Sequence, residues 1–451
     1  MNIDVMKGVF FTCVLAVFLS CTDDSFTAEG NNQVPDSLEN IGWLKGFGGS
    51  GDDSARSIIQ TDDGGLAILG MTNSIDGDLS FKELPVNDYW LLKLNPNGQI
   101  QWQRTYGGSK DDQGQQIIQT SDGGYAIAGY AMSDDGDGSN NEGFHDNWIL
   151  RLDAFGAIIW EKSFGFSGHD HSYDIVETAD GGFFFSGFLD VTSSNGEGST
   201  DKSSVTAHGV GEFWGTKIDA NGNLQWRKFF GGTNNDRSFG VVNAHDGGYI
   251  LAGASESNDF DITEPKGSYD FWVVKVDKNG TFVWERSFGG SGIDQAQDIA
   301  QTDDGAYIIV GNTFSTDTQV TKNNGQSDVW LIKINDSGQL LWEKSFGGSG
   351  FDAAHSVRVT TDGGLLVCGN SKSFDGNVSE NFGENDIWIF KTDAEGNMVW
   401  EESFGGLGLD FGYDAIELGS GNIVLIGETA SQDFPDLEIK GGIDMVVINM
   451  E

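Results

Sequence analysis

The sequence predicts an all-β fold, a seven-bladed β-propeller whose blades are four-stranded antiparallel sheets. A segment resembling Phe-Gly-Gly-Ser-Gly recurs seven times, beginning at residues 47, 106, 164, 230, 288, 346 and 404. Each copy contains four short runs with the alternation of apolar and polar residues that is typical of strands. One such unit cannot bury its own apolar faces, so the copies must stack against one another.

The repeat that follows Tyr106 gives the strands in order. We expect a first strand over residues 113–120, a second over 125–130, a third over 147–153 and a fourth over 157–164. Glycines in the turn between the first two strands supply the positive φ that tight hairpins need. Two tight hairpins joined by a longer loop make a sheet of the size of a propeller blade.

The outer segments of the repeat region predict how the ring closes. Residues 444–451 match a third strand with no fourth strand after it, and residues 41–47 match a fourth strand with no first strand before it. The N-terminal strand is therefore expected to complete the last blade, which removes the exposed edges of an open stack. Residues 41–451 are predicted to form one propeller, and the protein is expected to be a monomer.

The first forty residues have a different character. The apolar run at 8–19 follows Lys7, is too short to span a membrane and has the form of a secretory signal, so residues 1–20 are predicted to be a lipoprotein signal peptide. Cys21 is the expected lipidation site. The polar stretch that completes residues 21–40 is expected to be a flexible tether.

The residues after Cys21 read Thr-Asp-Asp-Ser, and this segment resembles the acidic tetrad of surface lipoproteins of the Bacteroidetes group. The resemblance implies a lipid-anchored protein of the outer membrane or the cell surface, attached to the membrane through its lipid alone.

The charge of the chain excludes one class of partner. The formal net charge is −44, from 69 acidic and 25 basic residues. A phosphate backbone would be repelled by such a surface, so nucleic acid is not expected as a partner.

The thirteen tryptophans fall in two columns, and a residue that occurs once per blade is typical of packing between blades. The fourth-strand column is Trp43, Trp102, Trp160, Trp226, Trp284, Trp342 and Trp400; the third-strand column is Trp90, Trp148, Trp214, Trp272, Trp330 and Trp388. The run from Lys217 to Trp226 resembles the tryptophan-docking motif of quinoprotein-like propellers, with an acidic residue at the end of one strand, a turn glycine and a tryptophan four residues later. The resemblance implies blade packing. The chain lacks the cysteine pair that quinoprotein dehydrogenases often carry.

Two columns of carboxylates accompany the repeats. The first column, predicted to fix the connection into the first strand by accepting backbone hydrogen bonds, is Asp53, Asp112, Asp170, Asp236, Asp294, Asp352 and Asp410. The second column, at the start of the third strand, is Asp88, Asp146, Glu212, Asp270, Asp328, Asp386 and Asp444. A ring of such carboxylates around a channel mouth that holds a divalent cation is the alternative.

A candidate metal site lies where the repeat is irregular. The third copy is 66 residues long, and four of the six histidines gather in or beside it. Carboxylates near them include an Asp-Gly-Asp segment with the alternating oxygen ligands of calcium loops. The candidate ligands are His145, His169, Asp170, His171, His208, Asp135 and Asp137. No cofactor is otherwise indicated, and calcium is the ion that the acidic loops favour.

The sequence contains no nucleophile elbow, phosphate loop or His-Glu-x-x-His motif. The predicted function is therefore a non-catalytic binding module of the cell envelope, with a glycan, a peptide or an envelope protein as its partner. Two alternatives stay open: a carbohydrate-active enzyme with paired carboxylates at the rim of blades two and three, and a scaffold for outer-membrane assembly.

Overall fold

The computed structural model describes residues 41–191, 209 and 211–451. In these residues 28 strands form seven four-stranded antiparallel sheets, accompanied by one 3-10 turn at Gly77–Leu79. The predicted seven-bladed propeller is therefore confirmed. Within the same residues, no helix has the length and apolar character that a membrane crossing requires. The predicted signal peptide, lipidation site and tether lie outside the described residues.

The N-terminal strand is β1 (Ile41–Phe47), and every blade then contributes its strands in chain order. The first strands are β2 (Asp53–Gln60), β6 (Asp112–Gln119), β10 (Asp170–Glu177), β14 (Asp236–Asn243), β18 (Asp294–Gln301), β22 (Asp352–Val359) and β26 (Asp410–Glu417). The second strands are β3 (Leu66–Thr72), β7 (Tyr125–Ala131), β11 (Phe183–Asp190), β15 (Tyr249–Ser255), β19 (Tyr307–Thr313), β23 (Leu365–Ser371) and β27 (Ile423–Thr429).

The third and fourth strands complete the blades. The third strands are β4 (Asp88–Leu94), β8 (Asp146–Leu152), β12 (Gly211–Ile218), β16 (Asp270–Val276), β20 (Asp328–Ile334), β24 (Asp386–Thr392) and β28 (Asp444–Met450). The fourth strands are β5 (Ile100–Tyr106), β9 (Ile158–Phe164), β13 (Leu224–Phe230), β17 (Phe282–Phe288), β21 (Leu340–Phe346) and β25 (Met398–Phe404). Blade seven takes β1 as its fourth strand, in the order β1-β28-β27-β26. Closure by the N-terminal strand is therefore confirmed.

The predicted strand limits differ from the observed ones by one residue at most ends. Except for the third strand of blade three, which begins at Gly211, the first and third strands begin one residue earlier than expected, at the aspartates of the two carboxylate columns. Each of these aspartates already pairs with the neighbouring strand, as Asp112 does with Ala131.

The first strands surround the central axis, and each carries a β-bulge at its fourth residue, where the register with the second strand shifts. The bulged residues are Arg56, Gln115, Tyr173, Phe239, Gln297, His355 and Tyr413. The later halves of the first strands enclose a cavity of about 400 Å³ that is lined mainly by isoleucine and valine.

The tryptophans pack as the repeat predicted. Those of the third strands are fully buried. Those of the fourth strands reach the turn between the third and fourth strands of the next blade: Trp160 Nε1 donates to the carbonyl of Ala220 (3.0 Å), and Trp284 Nε1 donates to that of Asp336 (3.2 Å). The turn glycine packs against the face of the indole, so each such tryptophan links its blade to the next one.

Antiparallel strands place the connections on two opposite faces. We call one the loop face; it is formed by residues 48–52 and 73–87 in blade one and by their counterparts in the other blades. The opposite face, the turn face, carries the short turns at residues 61–65 and 95–99 and their counterparts. Among the described residues, the candidate metal ligands all belong to connections or strand starts at the loop face.

Candidate functional site

Three of the candidate ligands come together at the junction of blades two and three. His145 precedes β8, while His169 and His171 flank the first residue of β10. One ring nitrogen from each of the three lies within 4.8 Å of the others. Among the described residues, this is the one group of three or more His, Cys, Asp or Glu side chains so placed.

The fold explains how residues 24 positions apart meet. The residue before a third strand forms a parallel bridge with the residue before the next blade's first strand, and His145 bridges His169 in this way. Other junctions use the same bridge with different side chains, such as Tyr269 with Ile293. The backbone bridge is therefore a feature of the repeat, whereas the paired imidazoles occur at this junction among those described.

Polar and aromatic groups surround the three imidazoles. The Nδ1 atoms of His145 and His169 are 2.9 Å apart, and His171 Nδ1 lies 3.3 Å from the hydroxyl of Tyr173. The carboxylate of Asp111 lies 3.6 Å from His145 Nε2. The ring of Tyr130 stacks on His171 with centroids 3.8 Å apart.

Burial decides the charge of two of these histidines. It lowers the pKa of His169, and it lowers the pKa of His171 well below the ordinary value. Both shifts favour the neutral imidazole, which is the form in which one ring nitrogen has a free lone pair.

The carboxylates predicted to join these histidines are engaged elsewhere. Asp170 is fully buried, and its Oδ2 accepts the backbone N–H of Phe166 (2.7 Å). Asp135 accepts the backbone N–H of Ser109 (2.8 Å), and Asp137 lies 3.4 Å from that of Gly107. His208 lies outside the described residues.

The contact of Asp135 belongs to the repeat rather than to this junction. In five further blades, the backbone N–H of the fourth residue of the recurring Phe-Gly-Gly-Ser-Gly segment likewise donates to an aspartate 26 residues later. Its acceptors are Asp76, Asp259, Asp317, Asp375 and Asp433.

The first carboxylate column is completely buried. In the sixth blade, Asp352 Oδ2 accepts the backbone N–H of Gly348 (2.8 Å) and the hydroxyl of Ser373 (2.7 Å), and Ser371 donates to Oδ1. The other members hold their own connecting segments in the same way, as Asp294 does with Gly290 (2.7 Å).

The second column is buried beside the first. Burial raises the pKa of Asp386 to about 7, and the nearby carboxylate of Asp410 acts in the same direction. Burial likewise raises the pKa of Asp88, Asp270 and Asp328 to about 6. Neither column presents an exposed ring of carboxylates at the loop face.

A charged cluster in the central cavity was not predicted from the sequence. Arg358 lies 3.3 Å from Asp298 and 2.8 Å from Asp414, and each of those carboxylates also accepts a backbone N–H from the next blade's first strand. Burial raises the pKa of Asp298 to about 7; Arg358 opposes this rise, and the nearby carboxylates of Asp174 and Asp414 add to it. The signal was present: an aspartate recurs at the fifth position of three first strands, at Asp174, Asp298 and Asp414.

Blade three also breaks a hydrogen bond that other blades make. The buried third-strand indole donates to a Glu or Gln 13 residues later, as Trp330 does to Glu343 (2.8 Å). Arg227 occupies that position in blade three, and its guanidinium lies over Phe166 (4.4 Å to the ring centroid). The irregular copy therefore differs in its packing as well as in its histidines.

The loop face carries large apolar side chains in contact with solvent. Their exposed fractions reach 74% for Phe374 and 71% for Leu407. The set is Ile75, Phe81, Leu84, Phe144, Phe260, Phe314, Phe374, Leu407 and Leu409. We call this set the apolar rim.

Comparisons with known proteins add a fold likeness. No family model matches the chain. It is 26% identical over 167 residues to the regulatory protein FlaEY of Caulobacter vibrioides, a match that covers 35% of this chain and 17% of that protein. The chain thus spans under a fifth of that relative's length.

Two solved structures illustrate the likeness. The Pan2 WD40 domain of Neurospora crassa superposes with a TM-score of 0.47 at 11% identity, covering 89% of each chain. BamB from Moraxella catarrhalis superposes with a TM-score of 0.40 at 13% identity, covering 88% of this chain and 99% of that one. The seven sheets of this chain define its fold independently of these likenesses.

Proposed function

We propose that this propeller is a non-catalytic binding module of the cell envelope, and that it holds a protein partner on its loop face. The observation that carries the proposal is the apolar rim. Exposed apolar side chains set among polar ones mark surfaces where proteins bind. Phenylalanine is also among the residues enriched at the centre of such interfaces.

The positions of the rim residues distinguish them from apolar residues that are exposed because the repeat places them at the surface. Exposed apolar residues near the turn face recur at the first two positions of the fourth strands, as Val283, Leu341 and Val399 do. The repeat therefore accounts for them. Only Ile75 and Phe374 occupy equivalent loop positions, and the other rim residues lie at positions that differ from blade to blade. Since blades two, four, five and seven carry Asp134, Asn258, Thr316 and Gln432 where Ile75 and Phe374 lie, the repeat does not require apolar residues there either.

Charge indicates the chemistry of the partner. With a net charge of −44, the protein attracts surfaces that combine basic and apolar side chains. Such a partner would place its apolar groups against the phenylalanines and its basic groups against the surrounding carboxylates.

The envelope part of the proposal rests on the sequence around Cys21. Metabolic labelling with a fatty acid should mark the wild-type protein but not Cys21→Ser. Protease treatment of intact cells would then show whether the propeller faces outward.

Cross-linking on intact cells tests the binding module. The double variant Phe260→Ser with Phe374→Ser should lose the partner that the wild type captures. Phe155→Ser is the matched control, because this phenylalanine is 72% exposed but lies on the turn face. Loss of capture in the control alone would contradict the proposal, as would release of reducing ends from a polysaccharide panel by the purified protein. Saturable binding to a glycan without turnover would replace the protein partner with a glycan.

A further inference from the structure

The junction of blades two and three concentrates nitrogen ligands as no other described junction does. Its three histidines occupy two backbone positions that bridge and a third at the second residue of β10. At the counterpart of His171 the other blades carry Ser54, Gln113, Arg237, Gln295, Ala353 and Phe411. The repeat therefore does not require imidazoles here.

A polar atom at this cluster has no partner in the described residues. His171 is 8% exposed, and its Nε2 is buried without a hydrogen bond among them. Leaving a buried polar atom unsatisfied costs about 1–3 kcal/mol. A ligand that uses this lone pair would remove that cost.

We propose that His145, His169 and His171 together bind one divalent transition-metal ion of the zinc class. Nδ1 of His145, Nδ1 of His169 and the free Nε2 of His171 are the expected ligand atoms. The ion would join blade two to blade three. This site is independent of the apolar rim, and it goes beyond the proposed binding function.

The distances fit a site that tightens when the ion binds. Zinc–nitrogen bonds are about 2.0–2.1 Å long, so two nitrogens on one ion lie at most about 4.2 Å apart. The two Nδ1 atoms are now 2.9 Å apart, and one ring nitrogen from each of the three histidines lies within 4.8 Å of the others. We expect the half-buried ring of His169, which stacks on the exposed Phe144, to rotate when the ion binds.

The surroundings supply the outer contacts that a metal-bound histidine needs. Coordination through Nδ1 leaves the Nε2–H of His145 directed toward Asp111, now 3.6 Å away. Asp111 is itself held by the amides of Asn87 (2.6 Å) and Gln113 (2.9 Å). A carboxylate behind a ligating histidine fixes its tautomer and orientation.

The donor set selects the ion. Imidazole nitrogens suit zinc, copper and nickel, whereas calcium takes oxygen ligands. Within the described residues no carboxylate joins the group. Three histidines also leave a fourth position of a tetrahedral ion for water.

Titration of the full-length protein, stripped with a chelator and free of a polyhistidine tag, tests the site. Cobalt(II) should give the absorption of a tetrahedral complex at one ion per chain, and zinc should displace it. His169→Ala and His145→Ala should weaken zinc binding by more than about 100-fold, and Asp111→Asn by about 10–100-fold. His245→Ala is the control, because this exposed histidine lies in the turn after β14.

Folding is monitored in parallel by thermal unfolding of each apo variant, so that loss of binding is read only from folded protein. Retention of full zinc affinity by folded His169→Ala and His145→Ala would overturn the proposal. So would loss of binding in His245→Ala, or stabilisation by calcium with no response to zinc.

Discussion

Leu44 of β1 lies opposite Ile448 of β28 in one antiparallel sheet. The first and last described strands therefore complete a single blade. Without β1, strand β28 would present an unpaired edge, and such an edge pairs readily with another chain.

We expect deletion of residues 41–47 to unfold the propeller or to make it associate through β28. Light scattering after size exclusion, combined with thermal unfolding, measures both outcomes. The double variant Trp43→Ala with Leu44→Ala keeps the backbone pairing, and it should be destabilised but monomeric. A deletion variant that is monomeric and as stable as wild type would contradict closure by β1.

The contact between a fourth-strand tryptophan and the next blade's turn can be measured with two glycines. Gly338 has φ +76°, and a Cβ there would lie 3.0 Å from Cγ of Arg286 and 3.1 Å from Cζ3 of Trp284. Gly363 has φ +81°, and a Cβ there would meet no heavy atom within 4 Å. An alanine at either position would pay the cost of the left-handed backbone conformation, but only an alanine at Gly338 would also contact the tryptophan.

Gly363→Ala should therefore lower the free energy of unfolding by about 1–2 kcal/mol, the cost of the left-handed conformation. Gly338→Ala should lower it by about 1–3 kcal/mol more, because the indole of Trp284 and the flexible side chain of Arg286 must shift to make room. Urea unfolding of both variants gives the difference directly. Equal losses would show that the indole adds nothing to the stability of the blade contact.

Stability is expected to fall as pH rises from about 5 to 8. Burial raises the pKa of Asp386 to about 7 and that of Asp270 and Asp328 to about 6. In the unfolded chain these groups titrate near pH 4. Between those values the folded state binds more protons than the unfolded state, so the free energy of unfolding decreases with rising pH.

At the acid end the direction reverses. A hydrogen bond from Thr302, followed by one from Lys333, lowers the pKa of Asp304 to about 2. The contribution of such aspartates is present above pH 4 and is lost as pH falls through their folded pKa. A stability maximum near pH 5 is the expected result, and urea midpoints measured from pH 3 to 8 locate it.

A single substitution isolates the buried group. Asp386→Asn keeps an acceptor for the backbone N–H of Phe382 but removes the charge. It should raise the urea midpoint at pH 8 and change it little at pH 5. Asp375→Asn, at an exposed position of the same blade, is the matched control for replacing a carboxylate with an amide. An Asp386→Asn variant that is destabilised equally at both pH values would contradict a charge effect.

The repeat made the fold predictable because its signals are local and occur seven times. Strand alternation, turn glycines and the two partial blades at residues 41–47 and 444–450 gave the blade count and its closure. Strand starts were placed one residue late because an aspartate at a strand start has low strand propensity, although Asp112 already pairs with its neighbour.

The site was predictable in part. The irregular third copy indicated His145, His169 and His171, which the structure brings close together, but sequence spacing could not show which carboxylates faced them. Asp135 had the spacing of a calcium ligand, whereas in the structure it accepts the backbone N–H of Ser109. Each aspartate of the cluster around Arg358 directly follows a bulge in its first strand, and a bulge interrupts the alternation by which strand residues are assigned to a face.

The structural role predicted for the first carboxylate column is tested by two aspartates that hold the same connecting segment. Asp352 is fully buried and accepts from Gly348 N and Ser373 Oγ, while the exposed Asp375 accepts from Ser349 N (2.6 Å). Asp352→Ala leaves several buried donors without an acceptor, at about 1–3 kcal/mol each. We expect it to lower the free energy of unfolding by about 2–5 kcal/mol. After Asp375→Ala water can reach the released N–H, so a loss below about 1 kcal/mol is expected. Asp352→Asn, which keeps one acceptor oxygen, should fall between the two.

The alternative role of this column as a cation site predicts a different pattern. The melting temperature of the wild type would then rise with added calcium, and Asp352→Ala would abolish that rise. The structural role is supported if the wild type melts at the same temperature in calcium and in chelator, and if the loss of unfolding free energy decreases from Asp352→Ala to Asp352→Asn to Asp375→Ala. The column then serves to accept backbone hydrogen bonds.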